Sequence, residues 1–332
     1  MNKYDFVSIG DIVTDAFIRL GQTSGADTHE DKALHREELC ISFGDKIPYD
    51  FVKVISAVGN STNAAIAAAR LGLKSANITN QGKDEVGAKN IQVLEANEVS
   101  TKYVFSHDGI ISNYHYVLWF GTERTILVKH EAYPYKIPED FTTDWLYLSS
   151  LGGTSEAFHA DIEKYLDTHP ETKLAFQPGT FQMTLGAEKL AKIYQRSEIF
   201  FCNKEEAQRI LNSEEQNIKT LLMAMNKLGP RIVVITDGPR GAYAYRDGQS
   251  WSIPLYPDIA PPYDRTGAGD AYASTIVSAL ALGKSLEDAL LWGPINSMTV
   301  VQKIGATEGL LHRAELEKYL TEAPGDYKLQ EI

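Results

Sequence analysis

Short apolar runs alternate with longer segments of helical period along most of the chain. Residues 4–9 read as a buried strand ending at Gly10-Asp11, and 75–79, 145–148, 174–177, 199–202 and 231–236 read as further strands. Segments 57–72, 88–97, 157–168, 187–196 and 286–303 carry helix-forming residues. Such alternation predicts an α/β fold, a parallel sheet covered by helices on both faces. Ligands in such folds bind beyond the C-terminal ends of the strands.

Other segments carry a β pattern outside that alternation. Residues 12–20 mix apolar and polar positions. Residues 39–43 are a short apolar run expected to pair with the strand that carries Phe17 and Leu20, and 47–55 is expected to continue it. Residues 113–120 and 124–129, parted by Gly121-Thr122-Glu123, read as a hairpin. Its aromatic residues would contact a substrate or a second subunit, or simply pack across the strands. Residues 22–38 are polar and charged and read as an exposed loop or mobile insertion; His29 and His35 lack metal-ligand spacing there and are taken as solvated. Residues 312–332 carry a short amphipathic helix and a polar tail. No repeat or linker divides the sequence, so 1–332 is read as one domain.

The candidate chemistry begins at Asp264-Arg265-Thr266-Gly267-Ala268-Gly269-Asp270, a glycine-rich turn feeding a helix that Gly283 is placed to end. Two glycines let the backbone approach a ligand, and free amides with the helix dipole make an anion site. A loop that only held phosphate would avoid Asp270, whose carboxylate repels it. Asp270 makes sense as a base that takes a proton from a hydroxyl attacking a phosphoryl group. Helix capping explains the short motif about as well when it is read alone. A second turn, Val58-Gly59-Asn60, opens an alanine-rich helix that stops at Gly72, with Ser61, Thr62 and Asn63 as candidate caps. Asn203 and Glu206 follow a strand and share a helix face, which suits the water ligands of Mg²⁺ or a capping box.

Composition narrows the partners. The net charge of −12 disfavours nucleic acid, whose phosphate backbone needs a basic surface. Cys40 and Cys202 sit in unlike contexts and suggest neither a disulfide framework nor a thiolate metal site. Met1-Asn2-Lys3-Tyr4-Asp5-Phe6 lacks an apolar signal core and no run is long enough to span a membrane, so a cytoplasmic location is expected.

Taken together, these motifs resemble the ribokinase-like carbohydrate kinases of the PfkB family. The family loop reads Asp-Thr-Thr-Gly-Ala-Gly-Asp, and only Arg265 departs from it here. Gly59 and Asn63 match the family's Gly-Gly-x-x-x-Asn-x-Ala, with Val58 where the first Gly is usual. That puts a side chain where the family keeps bare backbone. Residues 82–87 look like Gly-x-Asp-x-x-Gly, Asn203 to Glu206 match Asn-x-x-Glu, and Thr236-Asp237-Gly238 with Gly241-Ala242 resembles the nucleotide segment.

The resemblance implies a three-layer ribokinase-like fold, with a mostly parallel central sheet flanked by helices and a small β-sheet lid from about 12–20, 39–55 and 113–129. Asp270 would be the base, and the amides of Gly267, Ala268 and Gly269 the anion hole. Asp15 (Asp11 as second choice), Gly59, Asn60 and Asn63 would bind the acceptor. Asn203, Thr236, Gly238, Gly241 and Asn296 would contact ATP, with Arg240 as a further phosphate contact. Glu206 would hold Mg²⁺ through water. Asp264 and Thr266, with the carbonyls of Val300, Lys303 and Gly305, would form a K⁺ site. The expected activity is ATP-dependent phosphorylation of a hydroxymethyl group of a sugar, on a chain that pairs through its lid into a homodimer. A nucleoside kinase of the same fold and a non-catalytic sugar or nucleotide sensor are the alternatives.

Overall fold

The computed structural model describes residues 1–332 except 22–24, 32–35 and 122. In chain order the strands are β1 (Asn2–Ile9), β2 (Val13–Leu20), β3 (Asp27–Asp31), β4 (Arg36–Cys40), β5 (Phe51–Val58), β6 (Ser75–Gly82), β7 (Val104–His107), β8 (Tyr114–Phe120), β9 (Glu123–Leu127), β10 (Phe141–Leu148), β11 (Lys173–Phe176), β12 (Ser197–Asn203), β13 (Ile232–Thr236), β14 (Ala242–Arg246), β15 (Gln249–Ile253) and β16 (Gln330–Glu331). The helices are α1 (Asn60–Arg70), α2 (Glu85–Ala96), α3 (Glu156–Thr168), α4 (Thr180–Leu185), α5 (Ala191–Arg196), α6 (Lys204–Leu211), α7 (Ile218–Asn226), α8 (Ala268–Ala281), α9 (Leu286–Val300) and α10 (Arg313–Thr321).

The large sheet has the order β16-β15-β14-β13-β12-β11-β10-β1-β6-β7. From β13 to β7 every pairing is parallel, and β14 to β16 extend one edge antiparallel. Its strands are apolar on both faces because both are covered. Trp145, Tyr147, Ile199, Phe201, Ile232 and Val234 pack with α1, α8 and α9 in one buried cluster. Their neighbours Leu146, Leu148, Phe200, Cys202, Val233 and Ile235 pack with α3, α5 and α7 on the opposite face. The alanines of α1 let it sit close to the sheet and to α8, and Ala64, Ala65, Ala67 and Ala68 have no exposed surface.

The expected helix over 187–196 starts later, as α5, preceded by the short α4. Ser61, Thr62 and Asn63 lie inside α1 instead of capping it. Gly59 is the N-cap and supplies no side chain, which leaves that helix end open towards the site.

A separate small sheet has the order β5-β2-β8-β9. Asp15 pairs with His115, and Trp119 with Arg124. Residues 39–43 do not pair with the strand carrying Phe17 and Leu20. Leu39 and Cys40 belong to β4, which pairs with β3 in its own ribbon, and β5 takes the place beside β2. Thus the expected exposed loop over 22–38 contains β-structure where it is described. His29 is exposed in β3, and His35 lies outside the described residues. No helix among the described residues is long and apolar enough to cross a membrane.

Candidate active site

The loop before α8 sits at the C-terminal edge of the parallel strands. Gly267 is its N-cap with φ of 77°, and a Cβ there would lie 2.2 Å from Cβ of Ala306. Only glycine combines that left-handed backbone with so close an approach. At the start of α8 the Gly267 and Gly269 amides have no backbone acceptor among the described residues, and the Ala268 N–H makes only a 3.4 Å contact with the Arg265 carbonyl.

Asp270, in the first turn, is 9% exposed, yet it faces a cavity of about 650 Å³. Three amides hold its carboxylate. Asn60 Nδ2 donates to Oδ1 at 2.8 Å, Asn63 Nδ2 to Oδ2 at 2.8 Å, and Gln177 Nε2 to Oδ1 at 3.2 Å. The Tyr147 hydroxyl donates to Gln177 Oε1 and so orients that amide. Burial pushes the Asp270 pKa above the ordinary aspartate value, and the three donors pull it back part of the way. A carboxylate held by amide donors and short of water is suited to take a proton from a hydroxyl.

The wall opposite is built from the small sheet and the segment after it. Asp11, Asp15, Gly59, Asn60, Asn63, His115, Arg124 and His130 all line the cavity. The two candidate aspartates differ. Asp11 is engaged by His130 Nδ1 at 2.9 Å, the Tyr135 hydroxyl at 2.8 Å and the Gly152 N–H at 2.8 Å. Asp15 has one oxygen sealed from water without a hydrogen-bond partner, 3.5 Å from His115 Nδ1. Asp15 is thus the one with capacity to accept from a ligand hydroxyl. Asn63 Oδ1 is likewise unpartnered. His115 is the only aromatic residue of the hairpin on this wall. Tyr116 points outward, and Trp119 packs edge-on against Phe51 and Tyr263.

A second cavity, of about 300 Å³, lies on the far side of the loop. Thr236, Gly238, Gly241, Ala268 and Gly269 line it, with apolar walls from Pro254, Leu255, Tyr256, Pro262, Met298 and Val301. Arg265 and Gly269 line both cavities, so the turn before Asp270 is a wall common to the two spaces.

Several predicted residues lie elsewhere. Asn296 has no exposed surface. It donates to Thr275 Oγ1 at 2.8 Å and accepts from the Leu311 N–H at 2.9 Å, a structural tie between helix and loop. Arg240 is turned onto Asp237 through two bonds at 2.6 and 2.7 Å. Asn203 and Glu206 form a reciprocal capping box at the start of α6, each bond 2.8 Å, and neither lines the two cavities. Burial raises the Glu206 pKa, the Asn203 N–H opposes this, and the Asp270 charge adds to the rise, so the two carboxylates sense each other.

Asp264, Thr266 and Gly305 do come together. Asp264 Oδ1 accepts from the Thr266 N–H and hydroxyl, and Oδ2 from the Gly305 N–H at 2.8 Å. The Val300 carbonyl accepts from the Lys303 N–H at 3.1 Å. These bonds tie the turn before α8 to the segment after α9, and the accepting oxygens keep further lone pairs.

Comparison with known proteins bears on what this geometry serves. The family described as pfkB family carbohydrate kinase matches residues 53–313. The chain belongs to that family. This pfkB kinase is 24% identical over 287 residues to 5-dehydro-2-deoxygluconokinase 2 of Bacillus cereus, covering 79% of this chain and 85% of that one. It is 26% identical over 262 residues to a cytidine kinase of Thermococcus kodakarensis, covering 75% and 88%. Its fold is that of the ribokinases. An Arabidopsis thaliana ribokinase complexed with ribose and ATP superposes with a TM-score of 0.79 at 17% identity, covering 96% of this chain and 99% of that one. A Methanocaldococcus jannaschii nucleoside kinase superposes at 0.78 and 17%, covering 97% and 100%.

Proposed function

We propose that this kinase transfers the terminal phosphoryl group of ATP to a hydroxymethyl group of a sugar, with Asp270 as general base. The observation that carries this is the turn common to the two cavities, with Arg265 and Gly269 lining both and Asp270 lining the larger one. The acceptor would lie in the larger cavity, among Asp15, Asn60 and Asn63. The nucleotide would lie against Thr236, Gly238 and Gly241. The acceptor oxygen forms a bond to phosphorus as its proton passes to Asp270, and the bond from phosphorus to the leaving diphosphate breaks. Amides of Gly267, Ala268 and Gly269 would meet the charge on the transferred oxygens. When bound, Mg²⁺ would neutralise phosphate charge, and Glu206, which lines neither cavity but feels the Asp270 charge and has one oxygen in its capping bond, would hold it through water.

A sugar is favoured over a nucleoside because Asp15, Asn60 and Asn63 give the acceptor cavity hydroxyl-binding groups and neither Tyr116 nor Trp119 of the hairpin lines it, which leaves Phe181 as the ring a base would need. The relatives named for a deoxygluconate and for cytidine keep both classes in the test. We read the small sheet as a lid on the acceptor. Its outer face carries Val52, Val54, Tyr116 and Leu127, each 43–53% exposed, which supports a homodimer through that face.

The decisive test is Asp270→Asn. Turnover should fall by about 10²–10⁴-fold while the acceptor still binds. Near wild-type turnover would falsify the base assignment. A wild-type enzyme that binds sugars but releases no ADP with any sugar or nucleoside would favour a sensor.

A further inference from the structure

Polar atoms of the acceptor cavity remain unused by the transfer. Asp15 Oδ1, His115 Nε2 and Arg124 Nε are each sealed from water and have no hydrogen-bond partner among the described residues. Asp15 and His115 are each 8% exposed, and all three side chains line the same cavity. The three atoms lie behind the cavity wall with no accessible surface of their own; buried polar groups are normally paired, so these side chains are poised to turn toward a ligand that meets them.

The charge on Arg124 narrows what that ligand is. Other cations of the small sheet are engaged. Lys53 pairs with Glu308 at 2.6 Å, and Arg19 lies over the Trp119 ring while donating to the Gly121 carbonyl. The carboxylate of Asp11 is taken by His130, Tyr135 and Gly152. Arg124 is in no ion pair among the described residues. Its guanidinium, once Nε is turned toward the cavity, offers parallel donors of the kind that grip a carboxylate or phosphate. A neutral hydroxyl would leave the partly desolvated cation uncompensated.

Register sets the order along the wall. Arg124 pairs with Trp119, further along β8 than His115, which pairs with Asp15. At roughly 3.4 Å per residue the two rows lie about 13 Å apart at the backbone, a gap the long arginine side chain shortens.

We propose that the acceptor is an acidic sugar: a polyhydroxy chain or ring bearing a carboxylate or phosphate at the end away from the reacting hydroxyl. Arg124 binds the anionic group, and Asp15 and His115 bind hydroxyls between it and Asp270. This specificity rests on the kinase activity proposed above, and its test separates the two.

ADP release and product mass are followed for D-ribose and D-fructose as neutral acceptors, D-gluconate as the carboxylate and D-ribose 5-phosphate as the phosphate. The same panel is run on Arg124→Gln and Arg124→Lys, and its equilibrium binding to Asp270→Asn and to Asp270→Asn/Arg124→Gln is measured by calorimetry. An anionic acceptor should be preferred over the neutral ones. Arg124→Gln should lower that preference by about 30-fold or more, chiefly through KM, and Arg124→Lys should restore part of it. Whichever anionic arm responds names the group. Neutral sugars preferred by the wild type, or an equal loss for both classes in Arg124→Gln, would overturn the acidic acceptor and leave the kinase assignment intact. If none of the four acceptors turns over, the binding arm decides the inference. Binding selective for anions and lost with Arg124 would still sustain the inference, and binding without selectivity would overturn it.

Discussion

Asn63 reaches from α1 to the carboxylate of Asp270 on α8, and its removal gives a measurable charge effect. Alanine suits this position of the helix, and the residue 63 N–H still bonds the Gly59 carbonyl, so Asn63→Ala should leave α1 intact. The variant loses the 2.8 Å bond from Nδ2 to a buried carboxylate. A hydrogen bond to a charged group contributes about 1.5–3 kcal/mol, and one pKa unit corresponds to about 1.4 kcal/mol. The Asp270 pKa should therefore rise by about 1–2 units, from a value that burial already holds above ordinary aspartate.

Catalysis needs the anion, so the acidic limb of kcat against pH should move up by that amount. Stability reports the same shift. A carboxylate whose folded pKa is raised favours the folded state at low pH and loses that advantage as pH climbs through the folded value. The deficit of Asn63→Ala should thus be full above the raised pKa and fade as pH falls below it. Rate profiles and urea unfolding at matched pH values measure both. A limb that stays in place, or an unfolding deficit independent of pH, would refute the clamp and leave only lost packing.

Gly267→Ala should destabilise the protein by about 1–3 kcal/mol and lower kcat, because the added Cβ meets Ala306 and the amides of the loop turn with it. Thermal unfolding and initial rates check this, and an unperturbed enzyme would mean the loop is not held as described. Val54→Glu places a charge on the exposed outer face of the small sheet and should shift the sedimenting species from dimer to monomer. A wild-type protein that sediments as a monomer would exclude the homodimer.

The strand and helix alternation was legible because the strands of the parallel sheet are buried on both faces and read as unbroken apolar runs. The turn at Asp264 to Asp270 was legible because backbone shape there demands particular residues. The acceptor wall was not. His115 stands in Tyr114-His115-Tyr116, where alternation tells only that it shares a face with Val117 and Trp119. What faces that side is decided by a loop far along the chain. Arg124 looked like any hairpin arginine for the same reason. The β3–β4 ribbon was missed because its charged residues carry no period of two. Asp247-Gly248 was a plain signal for the β14–β15 hairpin, and both residues have positive φ there. Asn296 was expected at the nucleotide from the family resemblance alone, and its amide instead bonds Thr275 and the backbone of Leu311.

The residues that clamp Asp270 come from α1 and from Gln177 just beyond β11, while α8 carries Asp270 itself. Those proposed to select the acidic end of the acceptor come from β2, β8 and β9, of which β8 and β9 are one continuous hairpin. Grafting the hairpin of another member onto this scaffold should redirect what is phosphorylated without disturbing how. Diversification of such enzymes then needs changes only at the rim, while the hub that handles the proton is inherited whole.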